Sequence, residues 1–576
     1  MSIHNFFQES FAAKAAGGNL IVPPAAGEIL EVPGVDDGLV LYDTDSDQDL
    51  LLPDPVIVPK ALDLYVINSG SGIITVKDHT GSSVLGYVGS SLVHFRGGGT
   101  GWRNISGSGD ITLTSPARTR SSQRIEDIVL TKPSGFAFDS DVLPVYRRGR
   151  WVGDRSVESV LPAITGTTYY VDCLLGSDLS AGTSPAAPLQ TIEVALEKSD
   201  VGNVFVAPGW YDRTRGMGNP TISTTSNGIA IRPWPIRNGE VYNTSSWEHT
   251  PASWSKSTYS DLCYQASRTA VEAVLDISHT EMLWDGHQHH PHFREYVEVA
   301  NSTDLIAIPG SWFDDSGTLH VHPLHVGPPD GAPASYVDSD VDAMFDPGDN
   351  IKVMLTDANA QFEEDIYFYC EGIRFIGGTQ GFYVSKTSAG HTKEVIFSNC
   401  TFEYATTSNG MRWVGGEMTG YLENCIARFN YLDGFNYHYH STGGTPNIVE
   451  VNCIGVFNGK DGTGNDNGST VHDGINIVRI GSRHGLCEGP SVADIDAGDK
   501  WNVGVHAMRS RRITQSVASK VCWLSSTGTS WLYDCLIEEA DSSAVSNTSG
   551  TVYLHNTEMA TPYEATGGVF AAYVQE

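Results

Sequence analysis

SNCTF (398–402), ENCIA (423–427) and VNCIG (451–455) each carry one Asn-Cys pair, and the spacing of those pairs decides the fold. Asn399-Cys400, Asn424-Cys425 and Asn452-Cys453 stand 25 and 28 residues apart (425 − 400, 453 − 425). Tyr369-Cys370 precedes them, and Asp534-Cys535 continues the series 82 residues on (535 − 453), a gap that fits three more units. A period of about 20 to 30 residues marks a solenoid, whose coils cannot bury their own apolar face and must stack on neighbours. Each unit is too short, and too rich in Val, Ile, Phe, Tyr, Thr, Asn and Gly, for a pair of helices, so strands are the repeating element. The expected fold is all-β, a right-handed parallel β-helix.

The chain has 576 residues, enough for two or three domains. Lys plus Arg number 35 against 68 Asp plus Glu, and the formal charge of −33 is spread along the chain. Such a surface repels phosphate backbones and anionic lipid, so neither nucleic acid nor membrane insertion is expected. Sugars, bound through hydrogen bonds and stacking on aromatic faces, are not excluded. Nine cysteines make an odd count, and four of them share one repeat position, where column mates stack about 4.8 Å apart. Free buried thiols and cytoplasmic synthesis follow. The opening MSIHNFFQESFAAKAAGGNL lacks the basic start and apolar core of a secretory signal.

Four regions are expected. Residues 1–38 read as an extended arm, and 39–114 as a small β-sandwich of short alternating strands. Residues 115–167 are a basic, solvated linker with a helix at Asp141 to Tyr146, and 168–576 the β-helix, interrupted by an irregular insertion at about 227–347. Regular coils are expected to resume near Lys352.

At Thr168 the chain reads TYYVDCLLGSDLSAGTSPAAPLQTIEVALEKSDVGNVFVAPGWY. A strand ending in Asp172, a Gly176-Ser177-Asp178 loop with Gly182 and Pro188, a short helix from Thr191 to Lys198 and a first coil closing at Pro208-Gly209-Trp210-Tyr211 resemble the opening of pectate-lyase-like right-handed β-helices. Ile192, Ala195 and Leu196 give that helix an apolar stripe that can cover the end of the stack. With the small amino-terminal β-domain, the chain resembles bacteriophage tailspikes and tail fibres. The resemblance implies a homotrimer in the virion tail whose amino-terminal domain attaches to phage tail or baseplate proteins. Its β-helix would bind, and in the enzyme reading cleave, host cell-surface polysaccharide, with no cofactor. The competing readings are a β-helix polysaccharide lyase or glycoside hydrolase acting outside a virion, and a non-enzymatic structural fibre or adhesin.

Aligning the repeats on cysteine brings Asn409-Gly410, Asp433-Gly434 and Asp473-Gly474 into one column of turns. Alternation then sends Met411, Phe435 and Ile475 inward, and Arg412, Asn436 and Asn476 outward as a polar ladder. The third unit is expanded by GNDNGSTVHDG (464–474), and loops on a rigid scaffold commonly carry a site. Glycoside hydrolysis needs two carboxyls, for which Asp433, Asp473 and Asp494 are the candidates. Elimination needs a cation and a proton acceptor, for which Arg479, His438, His440 and His472 are the candidates. Trp413, Tyr437, Asp466 and His506 join Arg412, Asn436 and Asn476 as expected sugar contacts. His287, His289, His290 and His292, with His320, His322 and His325, have alternate spacing that a metal could use. The plainer reading, a polar strand and loop, is preferred, and no metal is expected.

Overall fold

The computed structural model describes residues 128–576, apart from 148, 236, 248–253, 325–350, 356–359, 461–465, 511–520, 539–542, 561–563, 566 and 573–576, and describes only the strands of residues 1–127. The chain divides into two units, Met1–Ser122 and Gln123–Glu576. In the first, Asn19–Ile21, Asp37–Tyr42, Asp63–Asn68, Leu92–Gly98 and Gly101–Asn104 form one sheet, and Gln48–Leu51, Ile74–Lys77 and Val84–Val88 a second. Asn19–Ile21 falls in the expected arm yet pairs in parallel with the strand that begins at Asp37.

The second unit is built on three parallel sheets of twelve, ten and nine strands. Successive coils add one strand to each. Met411–Gly415 enters the nine-stranded sheet, Thr419–Glu423 the twelve-stranded and Ile426–Arg428 the ten-stranded, and the next coil repeats the order with Phe435–His438, Asn447–Val451 and Ile454–Val456. This all-β architecture is β-helix-like. Its first strand, Thr167–Val171, is followed by the short helix Ile192–Leu196, whose Ile192, Ala195 and Leu196 are buried against it.

The Asn-Cys pairs turn the corner between the twelve- and ten-stranded sheets. Asn399, Asn424, Asn452 and Asp534 all hold positive φ (54, 53, 52 and 55°), a left-handed conformation that Asx residues tolerate better than other side chains. Gly372, Gly481 and Gly504 occupy the same corner with φ of 64, 60 and 61°, and Gly481 and Gly504 mark the two coils between Cys453 and Cys535 that carry no Asx-Cys pair. The corner amides keep the ladder unbroken, Asn424 N–H donating to Val451 O at 2.9 Å and Asn452 N–H to Ile480 O at 2.8 Å. Cys400, Cys425 and Cys453 stack in file just inside, each coil's cysteine carbonyl accepting from the residue after the next coil's cysteine or its counterpart. Cys370 stands apart from that file. It pairs with Phe397 within the twelve-stranded sheet, although its Sγ still lies 3.9 Å from that of Cys400. All nine cysteines are free and buried.

Asn424→Ala is expected to cost about 1–2 kcal/mol, the left-handed penalty of a β-carbon without the local bonding of Asn, whereas Asn424→Gly is expected to be near neutral. Urea midpoints of the two variants check this, and equal midpoints would remove the corner strain from the account.

Two expectations change. Residues 141–146 form no helix; Pro144–Arg147 is a strand, paired antiparallel with Arg150–Gly153 and with Ile128–Val129, as Val145 and Tyr146 favour, with Pro144 tolerated at its first position. Nor is this segment a solvated connector, because Leu130, Phe136, Phe138, Val142, Trp151 and Val157 are buried against Tyr369, Ile396, Tyr421, Val449 and Trp501 on the outer face of the twelve-stranded sheet. The irregular insertion is also shorter than 227–347 at its start. Gly228–Pro233 and Val241–Thr244 are ordinary coil strands, whereas Ile351–Leu355 pairs antiparallel with Val271–Trp284, so regular coils resume at Ala360–Phe362 instead of Lys352. Between them lie a three-stranded antiparallel sheet and a five-stranded mixed sheet, in which Val297–Glu298 pairs in parallel with Ser311–Asp315, with a core of Trp254, Tyr264, Trp312, Leu319 and Val321.

Candidate active site

The outer face of the nine-stranded sheet carries a cavity of about 510 Å³. Its floor is a register column, Arg412, Asn436, Thr470, Ala493 and Leu524, one residue from each of five successive coils. Beside it runs a second outward row containing His438, His472 and Ile495. One end is closed by the turns that precede the strands, where Asn409, Asp433 and Asn467 sit one above another, Gly410 N–H donating to Asp433 O and Gly434 N–H to Asn467 O.

Asp433 is the most perturbed acid of this face. Its Oδ1 accepts from Asn467 N–H at 2.7 Å and from Asn467 Nδ2 at 3.0 Å, and its Oδ2 from Asn436 Nδ2. Burial raises its pKa to about 6, against these bonds, which favour the anion. The carboxyl therefore carries a proton over a useful part of the range below neutrality.

His438 and His472 stack face to face, ring centroids 4.1 Å apart and planes within 8°. Burial lowers the pKa of both, that of His472 to about 4 with help from the neighbouring imidazole. His438 Nδ1 lies 3.2 Å from Asp473 Oδ2, and Asp473 N–H donates to Asp496 Oδ2 at 3.3 Å. A neutral imidazole held by a carboxylate is the arrangement of a proton acceptor. Arg412 Nε and Asn436 Oδ1 are buried without a hydrogen-bond partner among the described residues, so the floor keeps one donor and one acceptor for a ligand.

Of the residues singled out from sequence, Asp433, Asp466, His438, His472, Arg412 and Asn436 line this cavity. The others lie elsewhere. Asp473 stands at the far end of its strand, not in the Asp433 column, whose mate is Asn467 of the neighbouring Asn-Gly turn; it reaches the site through His438. Ile475 and Asn476 accordingly leave the ladder, and Asn476 Nδ2 donates to Asn447 Oδ1 at 3.1 Å in the twelve-stranded sheet. Asp494 and Arg479 point into the stack, fully buried and joined at 2.8 Å. Trp413 and Tyr437 are also interior, Tyr437 OH donating to Glu450 at 2.9 Å. His440 lies past its strand, in a turn with Thr442, and His506 bonds Glu538 at the ten-stranded sheet. Sequence reasoning passed over Asn467 and Thr470, although Asn467-Gly468 was a legible Asx-Gly pair in the expanded loop.

The histidine run of the insertion is dispersed. His290 Nε2 bonds Asp285 at 2.8 Å, His292 packs on Phe429, His320 bonds Ser257 and His322 bonds Leu305 O, while His325 lies outside the described residues.

No family model and no curated protein matches the chain. Among solved structures it is similar to a protein titled glycoside hydrolase, at 10% identity over 70% of this chain and 96% of that one, with a TM-score of 0.34. It is also similar to XylC in complex with xylose, at 13% identity over 69% and 71% with a TM-score of 0.34. A third similar structure is pectate lyase Pel9A, at 12% identity over 70% and 78% with a TM-score of 0.30.

Proposed function

We propose that the protein binds a polysaccharide along the outer face of the nine-stranded sheet and hydrolyses it there. The observation that carries this reading is a protonatable, buried Asp433 in the same cavity as the His438–Asp473 pair. Asp433 gives its proton to the glycosidic oxygen, and the C–O bond to the anomeric carbon breaks. His438 takes a proton from the attacking water, whose oxygen forms the new bond, and Asp473 holds the resulting imidazolium. Arg412, with its partnerless Nε, supports a second reading in which its guanidinium neutralises a uronate carboxylate, His438 removes the C5 proton, the C4–O bond breaks as the C4=C5 double bond forms, and Asp433 protonates the departing oxygen.

The wider reading is that the stack is a right-handed β-helix, the hand favoured for parallel crossovers. On it, the chain is a phage tail receptor-binding protein, trimeric, with residues 39–114 as the virion-proximal domain. Repeated weak sites on three chains would give firm attachment.

Purified protein incubated with bacterial capsule or lipopolysaccharide tests the chemistry. Hydrolysis is expected to release new reducing ends without ultraviolet absorbance from an unsaturated uronate. Both signals together would assign elimination instead, and binding without either would leave an adhesin.

A further inference from the structure

Away from the cavity, the ten-stranded sheet holds a second constellation. Among the described residues, His287, His506 and Glu538 form a group whose ligand-type atoms all lie within 4.8 Å of one another. They come from three distant places. His287 sits in the turn joining the insertion strands Val271–Trp284 and His289–Glu295, His506 opens the strand His506–Ala507, and Glu538 follows Leu536–Ile537 one coil later.

We propose that these three side chains bind one divalent transition-metal ion of the zinc type, which staples the insertion hairpin to two coils of the stack. His506 is buried, with Nε2 2.9 Å from Glu538 Oε1, and the ring of His287 meets that of His506 edge-on with centroids 4.8 Å apart. Metal–ligand bonds of about 2.0–2.1 Å place tetrahedral ligands about 3.3 Å from one another. The His506–Glu538 pair already approaches that spacing, and exposed His287 closes the rest by rotating its side chain.

The supports are fixed. Asp285 Oδ1 accepts from the amides of His287 and Gln288, both at 2.7 Å, which sets the turn, and Glu538 Oε2 accepts from Arg509 N–H at 3.1 Å, which orients the carboxylate. Two imidazoles and one carboxylate select zinc-like ions over calcium or magnesium, which want oxygen ligands, and leave a fourth position for water. Arg483, held by Asp285 at 3.5 Å, is the opposing charge that the ligands must outweigh. No spacing along the chain marks the set, because His287 and His506 are 219 residues apart (506 − 287) and meet only in the fold.

The test uses the full chain, stripped with chelator and titrated with cobalt(II) and then zinc(II). One equivalent of cobalt with tetrahedral d–d absorption, displaced by zinc, is expected. His287→Asn, an exposed side chain whose backbone bond to Asp285 the substitution keeps, is expected to weaken binding at least about tenfold and to abolish the zinc-dependent rise in melting temperature. No cobalt band, a preference for calcium, or unchanged affinity in His287→Asn would overturn the proposal.

Discussion

Asp433→Asn is expected to lower turnover about 10²- to 10⁴-fold with the fold intact, the range lost when a positioned proton donor is removed. The same substitution is expected to reshape the pH profile. Asp433 has a folded pKa raised by burial to about 6, so it is protonated and competent below that value and loses its proton as the pH rises through it. His438 must be neutral to accept a proton, and its pKa is lowered by burial, so activity falls on the acid side only below the ordinary histidine range. The wild-type kcat/KM profile should therefore be a bell whose alkaline limb lies near pH 6, and Asp433→Asn should flatten that limb while sparing the acid one. Asp433→Glu should recover part of the rate. Asn436 and Asn467 donate to both oxygens of Asp433, so the new amide keeps Asn467 on its oxygen and turns its nitrogen to Asn436, whose amide must flip to offer Oδ1; circular dichroism of the variant checks that the turn survives. Wild-type turnover in Asp433→Asn would move the chemistry to another face.

The contrast between Asp433 and Asp494 shows what the sequence carried. Period, corner chemistry and the turn at Asp433-Gly434 were legible because they are local: Asx tolerates positive φ, a small residue follows it inward, and alternation sets the face. Asp494 was misplaced because its face depends on register across coils of unequal length. The expanded loop moved the pairing so that Ser469, not Ile475, lies beside Phe435, and this one shift separated Asp473 and Asn476 from the ladder. Gly481 and Gly504 hid two corners, since glycine takes the same conformation as Asn without marking it. The burial of Leu130, Phe136, Phe138, Val142, Trp151 and Val157 on the twelve-stranded sheet was invisible for another reason: that face is apolar in Tyr421, Val449 and Trp501, but nothing in a strand's own pattern says what covers it.

Arg479→Met is expected to destabilise the β-helix-like unit by about 3–5 kcal/mol, the cost of leaving buried partner charges unpaired. The inward column of the twelve-stranded sheet runs Phe397, Leu422, Glu450, Arg479, Asn502, Leu532, so an apolar core gives way to ionised side chains and then resumes. Arg479 meets Asp494 at 2.8 Å, Asn502 at 3.1 Å and Ser469 at 3.1 Å, with Glu450 at 3.7 Å. Glu450 in turn accepts from Tyr437 and Ser469 and lies 3.1 Å from His484 Nε2. Burial pushes Glu450 up, but the hydrogen bond and charge of His484, with Arg479, outweigh it and hold the pKa at about 2. A depressed carboxyl contributes stability above its unfolded pKa of about 4.3 and loses it as the pH falls toward the folded value. The wild type should thus lose stability between about pH 4 and 2, and Arg479→Met should make that loss shallower, because the folded pKa of Glu450 moves back toward its unfolded value. Neutralising the whole set in Arg479→Met/Asp494→Asn/Glu450→Gln should recover much of the penalty, because the cost lies in the orphaned charge more than in the lost pair. Urea midpoints at pH 7 for single and triple variants decide it, and a triple variant no more stable than Arg479→Met would mean that packing, not charge, is what Arg479 supplies.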